Sequence, residues 1–266
     1  VSALEKVIGG EFTVPYLLHD RDGIATTAYP ADNDEIWRLD PQTGFIEYGS
    51  QRVTFWCGIP RTNPDCTSGV SDTTAGCPPF PTMMYLHGYG SSRGEIISHM
   101  GRHAAMGQVL CAIDGPGHGK NVATQLVEEQ ATFILARLEF ARFGADSMID
   151  LIIRGRDRDL NNDGAADPGA DMWTADLFHT RDMVRQMTLE HMQFVRILRS
   201  AGAKLADGTI LGDVTGDGQA EFGGADTIIG AWGISLGGVI SGMLAGVEPG
   251  LDTASPNAGG GGLVDV

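Results

Sequence analysis

Residues 1–80 alternate short apolar runs with turn-rich spacers. The runs EFTVPYLL and QRVTFWCGIP are rich in β-branched and aromatic residues, and spacers such as YPADND and DPQTG contain the residues that turns use. Apolar runs of this length, bounded by turn residues, predict strands. We therefore expect a β-rich N-terminal region.

Two further apolar runs end in glycines, and a helix candidate lies between them. PTMMYLHGYG and GQVLCAIDGPGHG are the two runs, and SRGEIISHMGRHAAM separates them. A strand, a helix and a second strand in this order predict a parallel strand pair. The sequence therefore predicts an α/β fold with a mostly parallel sheet flanked by helices.

The later part of the chain has helical periodicity, followed by a buried strand. Apolar residues recur at three-to-four spacing from about 123 to 154 and more strongly from 175 to 201, where Gly202 supplies a stop signal. The stripe of the second helix consists of Met183, Val184, Met187, His191, Phe194, Val195 and Leu198. DTIIGAW then predicts a strand, a small-residue helix follows to about 247, and LDTASPNA predicts another short strand.

Together these elements predict one domain that spans residues 1–266. Its core covers 81–266 and contains a helical, acidic-loop insert at about 121–175. The last strand is followed by GGGGLVDV, with no capped element to close the sheet. We therefore expect that C-terminal strands of the sheet are missing from this chain.

Charge and apolar content narrow the classes of partner. The formal net charge is −16, so nucleic acid and anionic membrane surfaces, both polyanions, would repel the protein. Residues 227–247 are uncharged over about the length of a membrane span. Their first part is β-branched and their second part is rich in Gly, Ala and Ser, which favours a buried strand, a tight turn and a closely packed helix. The sequence therefore predicts no membrane span and no nucleic-acid partner.

Four cysteines indicate the redox environment. Cys57, Cys66 and Cys77 lie in a loop-rich region that has little to pack, so a disulfide would help to hold it. We expect Cys66 to pair with Cys77, or Cys57 with either, while Cys111 in QVLCAID resembles a small buried hydrophobic residue. A disulfide favours a secreted or periplasmic protein, and four reduced cysteines in a cytosolic protein are the alternative.

Two serines match the pattern G-x-S-x-G, which is typical of a nucleophile elbow. Ser235 lies in GAWGISLGG, and Ser92 lies in GSSRG. An elbow needs its serine at the very end of a strand, with small residues two positions before and after it. Ser235 fits better, because Gly233 and Gly237 surround it and TIIGAW directly precedes it.

Two other turn motifs accompany the serine. LHGYG ends an earlier strand and resembles the loop that lends a backbone N–H to an oxyanion hole, and DGPGHG resembles the turn that follows the next strand. With these three motifs in order, residues from about 80 to 260 resemble α/β-hydrolases of the bacterial lipase and esterase type. The resemblance implies Ser235 as nucleophile, with the N–H groups of Leu236 and Tyr89 as oxyanion donors.

The resemblance also implies a reaction, cleavage of a small-molecule or lipid carboxylic ester through an acyl-enzyme. A peptidase or an acyltransferase would use the same motifs, because a fold does not determine the reaction. An alternative from a different class is a noncatalytic, calcium-stabilised binding module of the same fold.

A serine nucleophile needs a base, yet every histidine precedes Ser235 in the chain. The order in this fold is nucleophile, acid, histidine. We expect the acid and the base to lie beyond Val266 or on a second polypeptide, with about two further strands of the sheet. Asp252 and Asp265 are acid candidates by position only.

Two acidic loops share the spacing of a calcium-binding loop. The loops DLNNDGAAD and DVTGDGQAE place oxygen-bearing residues at positions 1, 3, 5 and 9, with a backbone carbonyl at 7 and Gly164 or Gly218 at the turn. The candidate ligands are Asp159, Asn161, Asp163, Ala165 and Asp167 in the first loop and Asp213, Thr215, Asp217, Gln219 and Glu221 in the second. We expect structural Ca²⁺, while an acidic Asx-turn loop without a cation is the alternative.

Overall fold

The computed structural model describes residues 3–19, 35–66, 76–119, 151, 154–157, 167–174 and 176–260. The strands are β1 (Leu4–Tyr16), β2 (Leu18–His19), β3 (Ile36–Trp37), β4 (Gly49–Pro60), β5 (Thr82–Leu86), β6 (Val109–Ile113), β7 (Ile229–Ile234) and β8 (Thr253–Asn257). A 3₁₀ helix spans Arg93–Ser98, and the α-helices are α1 (Met100–Ala105), α2 (Leu177–Arg199) and α3 (Leu236–Val247). The predicted helix from about 123 to 154 and most of the predicted insert lie outside the described residues.

Six of the described strands form one sheet in the order β1-β4-β6-β5-β7-β8. The strands β6, β5, β7 and β8 are mutually parallel, and the long β1 and β4 add to the β6 edge as antiparallel neighbours. The predictions of a parallel pair and of a β-rich N-terminal region are therefore confirmed. The mostly parallel sheet that the sequence predicts is also the sheet that forms.

Side chains of the central strand β5 alternate between two cores, one on each face of the sheet. Met84 and Leu86 point into the larger core, where α2 and α3 pack. Tyr85 points into the smaller core, together with Ile96 of the 3₁₀ helix and Met100 of α1. This alternation is the period of two that a strand imposes on its side chains, so a buried strand reads as a continuous apolar run.

Helix α2 shows how local sequence determines an element. Its N-cap is Asp176, whose carboxylate accepts the N–H groups of Phe178 (2.9 Å) and His179 (3.2 Å). Every residue of the predicted apolar stripe is buried against the sheet. The helix ends at Arg199, close to the predicted end at 201.

The disulfides are Cys66–Cys77 and Cys57–Cys111. The pairing of Cys66 with Cys77 is confirmed, whereas the interpretation of Cys111 as an unpaired buried residue is wrong. Cys57 on β4 and Cys111 on β6 lie directly opposite each other in the antiparallel register, with their Cα atoms 4.1 Å apart. No local pattern reveals this contact, because it depends on which strands become neighbours.

The uncharged stretch 227–247 divides into β7 and α3, as predicted. None of the helices among the described residues has both the length and the apolar character required to cross a bilayer.

Candidate active site

Ser235 occupies the bend between β7 and α3 in a backbone conformation that few residues adopt. Its φ is 55° and its ψ is −117°, which is a strained region for a residue with a Cβ atom. The Ser235 N–H donates to the carbonyl of Asn257 (3.0 Å) and its carbonyl accepts the N–H of Val239 (3.1 Å), so neighbours on both sides hold the bend. The side chain is exposed and makes no capping hydrogen bond.

Three glycines make this bend sterically feasible. A Cβ atom on Gly233 would lie 1.9 Å from the carbonyl oxygen of Gly237, and one on Gly237 would lie 1.9 Å from that of Leu86. A Cβ atom on Gly238 would lie 2.5 Å from the carbonyl oxygen of Asn257. Backbone atoms therefore occupy the space that any larger residue would need, and the strand-to-helix turn has the geometry of a nucleophile elbow.

The second serine of the same pattern has a different environment. Ser92 is the N-cap of the 3₁₀ helix, with an extended backbone (φ −154°), and its side chain accepts the N–H of Gly94 at 3.2 Å. A capping serine with ordinary backbone angles is not an elbow, so of these two serines only Ser235 has the strained strand-to-helix bend.

The HGYG loop lies beside the elbow. A Cβ atom on Gly88 would lie 3.8 Å from the Cβ atom of Ser235, so the peptide that carries the Tyr89 N–H is next to the serine. Leu236 is the first residue of α3, and its N–H is among the donors that a helix leaves without an internal partner. The Tyr89 N–H thus belongs to a loop beside Ser235, and the Leu236 N–H belongs to the residue that follows Ser235 at a helix N-terminus, so both predicted oxyanion donors lie in segments adjacent to the serine.

The directions in which the chain leaves β5 and β7 explain why the HGYG loop and the elbow lie next to each other. The chain leaves the carboxyl end of β5 towards the face that carries α1, and it leaves the carboxyl end of β7 towards the opposite face, which carries α3. Adjacent parallel strands whose connections diverge in this way open a crevice at their carboxyl ends. Ser235 and Gly88 lie at that crevice.

The DGPGHG turn braces the HGYG loop from behind. The Gly119 N–H donates to the carbonyl of Ser91 (3.2 Å), and Asp114 binds both the backbone N–H and the guanidinium of Arg93. Burial lowers the pKa of His118, whose Nδ1 donates to the Pro116 carbonyl. The Nε2 atom of His118 is buried and has no hydrogen-bond partner among the described residues.

All seven histidines of the chain lie within the described ranges, and none of them hydrogen-bonds to Ser235. His87 contacts Gly88, Gly115 and the ring of His118, and His118 contacts Pro116 and the ring of Tyr89. The partners of the other five are Glu47 for His19, Tyr85 and Trp232 for His99, Gln108 and Trp232 for His103, Glu35 and Asp171 for His179, and Met187 for His191. None of the described residues therefore supplies a histidine that is hydrogen-bonded to Ser235, although His87 and His118 lie in the two turns next to it.

Asp252, one of the two positional acid candidates, has a structural role. Its carboxylate accepts the N–H of Ile229 (2.7 Å) and pairs with Arg199, and these two contacts hold its pKa below the usual value. Ile229 begins β7 and Ser235 follows its end. The Asp252 side chain therefore lies at the amino ends of the parallel strands, and the Ser235 side chain lies at their carboxyl ends. Asp265, the other candidate, lies outside the described residues.

The second acidic loop brings three carboxylates together. Oxygen atoms of Asp213, Asp217 and Glu221 lie within 4.8 Å of one another. The Asp213 carboxylate accepts the N–H groups of Gly216 (2.6 Å) and Gly218 (2.8 Å), and the Thr215 hydroxyl donates to Glu221. Hard oxygen donors at this spacing fit a Ca²⁺ ion. Of the first loop, Asp159, Asn161, Asp163 and Ala165 lie outside the described residues, and Asp167 lies within them.

A cavity of about 420 Å³ lies elsewhere on the molecule, and neither the elbow nor the HGYG loop lines it. Its lining consists of Gln51, Arg52, Thr54, Arg93, Arg154, Gly155, Arg156 and Asp157. The two most buried arginines are neutralised, Arg93 by Asp114 and Arg156 by Glu190. Paired charges therefore line this cavity, and it is separate from the serine site.

Comparisons with known proteins give structural likeness only. No protein-family model matches the chain, and no curated protein matches its sequence. Acetyl xylan esterase 1 from Thermoanaerobacterium overlaps with a TM-score of 0.39 at 16% identity, covering 84% of this chain and 51% of its own. A putative dienelactone hydrolase from Klebsiella pneumoniae has a TM-score of 0.38 at 12% identity, covering 96% and 61%, and a ferulic acid esterase from Streptomyces cinnamoneus has 0.39 at 10%, covering 92% and 57%.

The chain therefore spans 51% to 61% of the length of these three structures. Scores this low carry no argument about activity. The fold is identified by the molecule's own geometry, because the strand order, the parallel centre and the elbow after β7 are together those of the α/β-hydrolase fold.

Proposed function

We propose that this chain carries the nucleophile and the oxyanion hole of a serine hydrolase that cleaves carboxylic esters. Ser235 Oγ attacks the ester carbonyl carbon and gives up its proton to a base. The Tyr89 and Leu236 N–H groups stabilise the negative charge that develops on the carbonyl oxygen. The observation that carries the proposal is the strained, exposed serine at a strand-to-helix bend, packed against Gly88.

The proposed reaction needs only Ser235, a base and water, and no cofactor. When the tetrahedral intermediate collapses, the alcohol leaves with the proton that the base received, and the acyl group stays on Ser235. A water molecule then attacks the acyl carbon and gives a proton to the same base. When this second tetrahedral intermediate collapses, the bond from the acyl carbon to Ser235 Oγ breaks, the base returns the proton to Oγ, and the carboxylic acid is released. Peptide or acyl-transfer chemistry would use the same two steps with another leaving group or acceptor.

The proposed base and acid come from residues beyond Val266 or from a second polypeptide. The support for this part is the environment of the seven histidines, each of which has other contacts and none of which bonds to Ser235. The two disulfides favour an oxidising compartment, so we propose that the protein is secreted or periplasmic.

A fluorophosphonate probe tests the proposal on the full-length protein. We expect one covalent adduct that peptide mass spectrometry locates at Ser235 and that the Ser235→Ala variant loses. Ser92→Ala is the matched control, because Ser92 has the same sequence pattern without the bend, and it should label like the wild type. A full-length protein that folds, retains its disulfides and does not label at Ser235 would contradict the proposal.

The second candidate function is a noncatalytic, calcium-stabilised binding module. It is favoured by the finding that no histidine of the chain, all seven of which are described, is hydrogen-bonded to Ser235. Absence of both labelling and ester hydrolysis in the full-length protein would favour this module over the enzyme.

We also propose that Ca²⁺ occupies the loop 213–221 as a structural ion, with Asp213, Thr215, Asp217, Glu221 and the Gln219 carbonyl as ligands. Bound there, the cation would neutralise three carboxylates that otherwise repel one another. The loop DLNNDGAAD, with Asp159, Asn161, Asp163, Ala165 and Asp167, is proposed to bind a second ion on sequence grounds alone.

A further inference from the structure

His87 is buried directly behind the proposed oxyanion loop, and both of its ring nitrogens have backbone partners. The exposed fraction of His87 is 0%. Nδ1 lies 2.9 Å from the carbonyl oxygen of Gly88, and Nε2 lies 3.0 Å from the backbone nitrogen of Gly115. A carbonyl can only accept and an N–H can only donate, so Nδ1 carries the hydrogen and Nε2 carries the lone pair. The ring is thereby defined as one neutral tautomer.

The Gly88 carbonyl and the Tyr89 N–H belong to the same peptide group. A peptide unit is planar and trans, so its C=O and N–H bonds point in opposite directions. The Gly88 carbonyl accepts the His87 Nδ1–H at 2.9 Å and, more weakly, the Ser91 N–H at 3.2 Å, and holding the carbonyl in this direction holds the Tyr89 N–H in the opposite one. Rotation of this one peptide is the cheapest way to lose the donor, because Gly88 tolerates a wide range of backbone angles.

We propose that His87 is a positioning residue that aims the Tyr89 N–H at the oxyanion by binding the carbonyl of the same peptide, and that the DGPGHG turn serves this purpose by donating the Gly115 N–H to the ring. This inference rests on the proposed function of Ser235. It assigns a role to a histidine of the chain that does not act as the base, and it explains why the two glycine turns lie against each other.

The surroundings of His87 keep its ring neutral. Burial first, and then the neighbouring His118, lower the pKa of His87 to about 3, and His191 and Arg156 act in the same direction. A proton on Nε2 would also face the Gly115 N–H, donor against donor. The ring therefore stays neutral, with its hydrogen on Nδ1, between about pH 5 and pH 8, where an ordinary histidine titrates.

Two substitutions separate the two hydrogen bonds of the ring. His87→Asn places an amide N–H₂ near the position of Nδ1 and keeps the donor to Gly88, whereas His87→Gln places its amide oxygen near Nε2 and keeps only the acceptor for Gly115. The readouts are kcat and KM of full-length protein on p-nitrophenyl acetate, with thermal unfolding to check folding. His103→Gln is the control, because His103 binds Gln108 and stacks on Trp232, away from the loop.

We expect His87→Gln to lower kcat by about 10- to 100-fold with little change in KM, somewhat less than the roughly 10²- to 10³-fold cost of losing an oxyanion donor outright. His87→Asn should keep a kcat much closer to that of the wild type. Equal losses in the two variants, or no loss in either, would overturn the proposal. Wild-type protein that neither hydrolyses the ester nor labels at Ser235 would instead refute the proposed function.

Nitrogen NMR of the wild-type ring tests the geometry without requiring activity or a variant. We expect the His87 ¹⁵N shifts to report hydrogen on Nδ1 and none on Nε2 from about pH 5 to pH 8. The opposite tautomer, or a ring that titrates within this range, would overturn the positioning role even in a catalytically active protein.

Discussion

At the scale of single residues, backbone crowding decides the site more than side-chain chemistry does. The pattern G-x-S-x-G occurs twice in the sequence, and only one copy becomes an elbow. The difference lies in the neighbours: the carbonyl of Leu86 passes so close to Gly237 that no Cβ atom fits there. The sequence indicates which residues could form the bend, and the packing of β5 against α3 requires them to be glycines.

Gly237→Ala and Gly242→Ala test this requirement within one helix. The added methyl group at 237 would meet the Leu86 carbonyl at 1.9 Å, so the elbow must shift, with a cost of about 1–3 kcal/mol or more in the free energy of unfolding and loss of probe labelling at Ser235. At Gly242, which is exposed on α3 with nothing within 4 Å, alanine should stabilise by about 0.5–1 kcal/mol. Chemical denaturation measures both, and similar effects at the two positions would contradict the steric explanation.

At the scale of elements, periodicity predicted strands and helices well because their patterns are local. The stripe and the N-cap of α2, the strand before Ser235 and the helix after it are all written in neighbouring residues. Strand pairing is not local: β4 joins β6 rather than β5, and that pairing creates the Cys57–Cys111 disulfide. The error over Cys111 follows from this limit.

The two disulfides should differ in their contribution to stability, since they close loops of different length. Cys57 and Cys111 are 54 residues apart, and Cys66 and Cys77 are 11 apart. Loop-closure entropy predicts losses of about 4 kcal/mol for Cys57→Ala/Cys111→Ala and about 3 kcal/mol for Cys66→Ala/Cys77→Ala. Denaturation under non-reducing conditions measures both losses, and a larger loss from the short loop would contradict this order.

At the scale of the whole molecule, the sheet brings the HGYG loop and Ser235 together at the carboxyl ends of its parallel strands. It also places the acidic loop 213–221 beside the N-terminal strand β1. The loop 213–221 is tied to β1 by the Lys6 ammonium group, which donates to the Val214 carbonyl at 3.0 Å. Phe222, just after the loop, bridges Phe80, just before β5. A cation in this loop would therefore stabilise the packing of the core and not only the loop itself.

Calcium should raise the melting temperature, and removal of the ion with a chelator should lower it. Asp217→Asn should weaken the effect of added Ca²⁺, because the loop loses one anionic ligand while the side-chain acceptor for the Gln219 N–H remains. Asp207→Asn is the control: Asp207 accepts the Thr209 N–H in another exposed turn and is not one of the three clustered carboxylates. A melting temperature that ignores both Ca²⁺ and the chelator would count against the proposed ion in this loop.

The sequence by itself determined the alternation of strands and helices and the glycine turns, and it included the Cys66–Cys77 disulfide among its alternatives, because turn chemistry and apolar periodicity act between residues close in the chain. Only the tertiary structure decided that Cys111 pairs with Cys57, that Asp252 binds Arg199 at the end of the strands opposite Ser235, and that His87 holds the Gly88 carbonyl. These contacts join residues on different elements or set the direction of a single peptide, and both depend on how the sheet assembles.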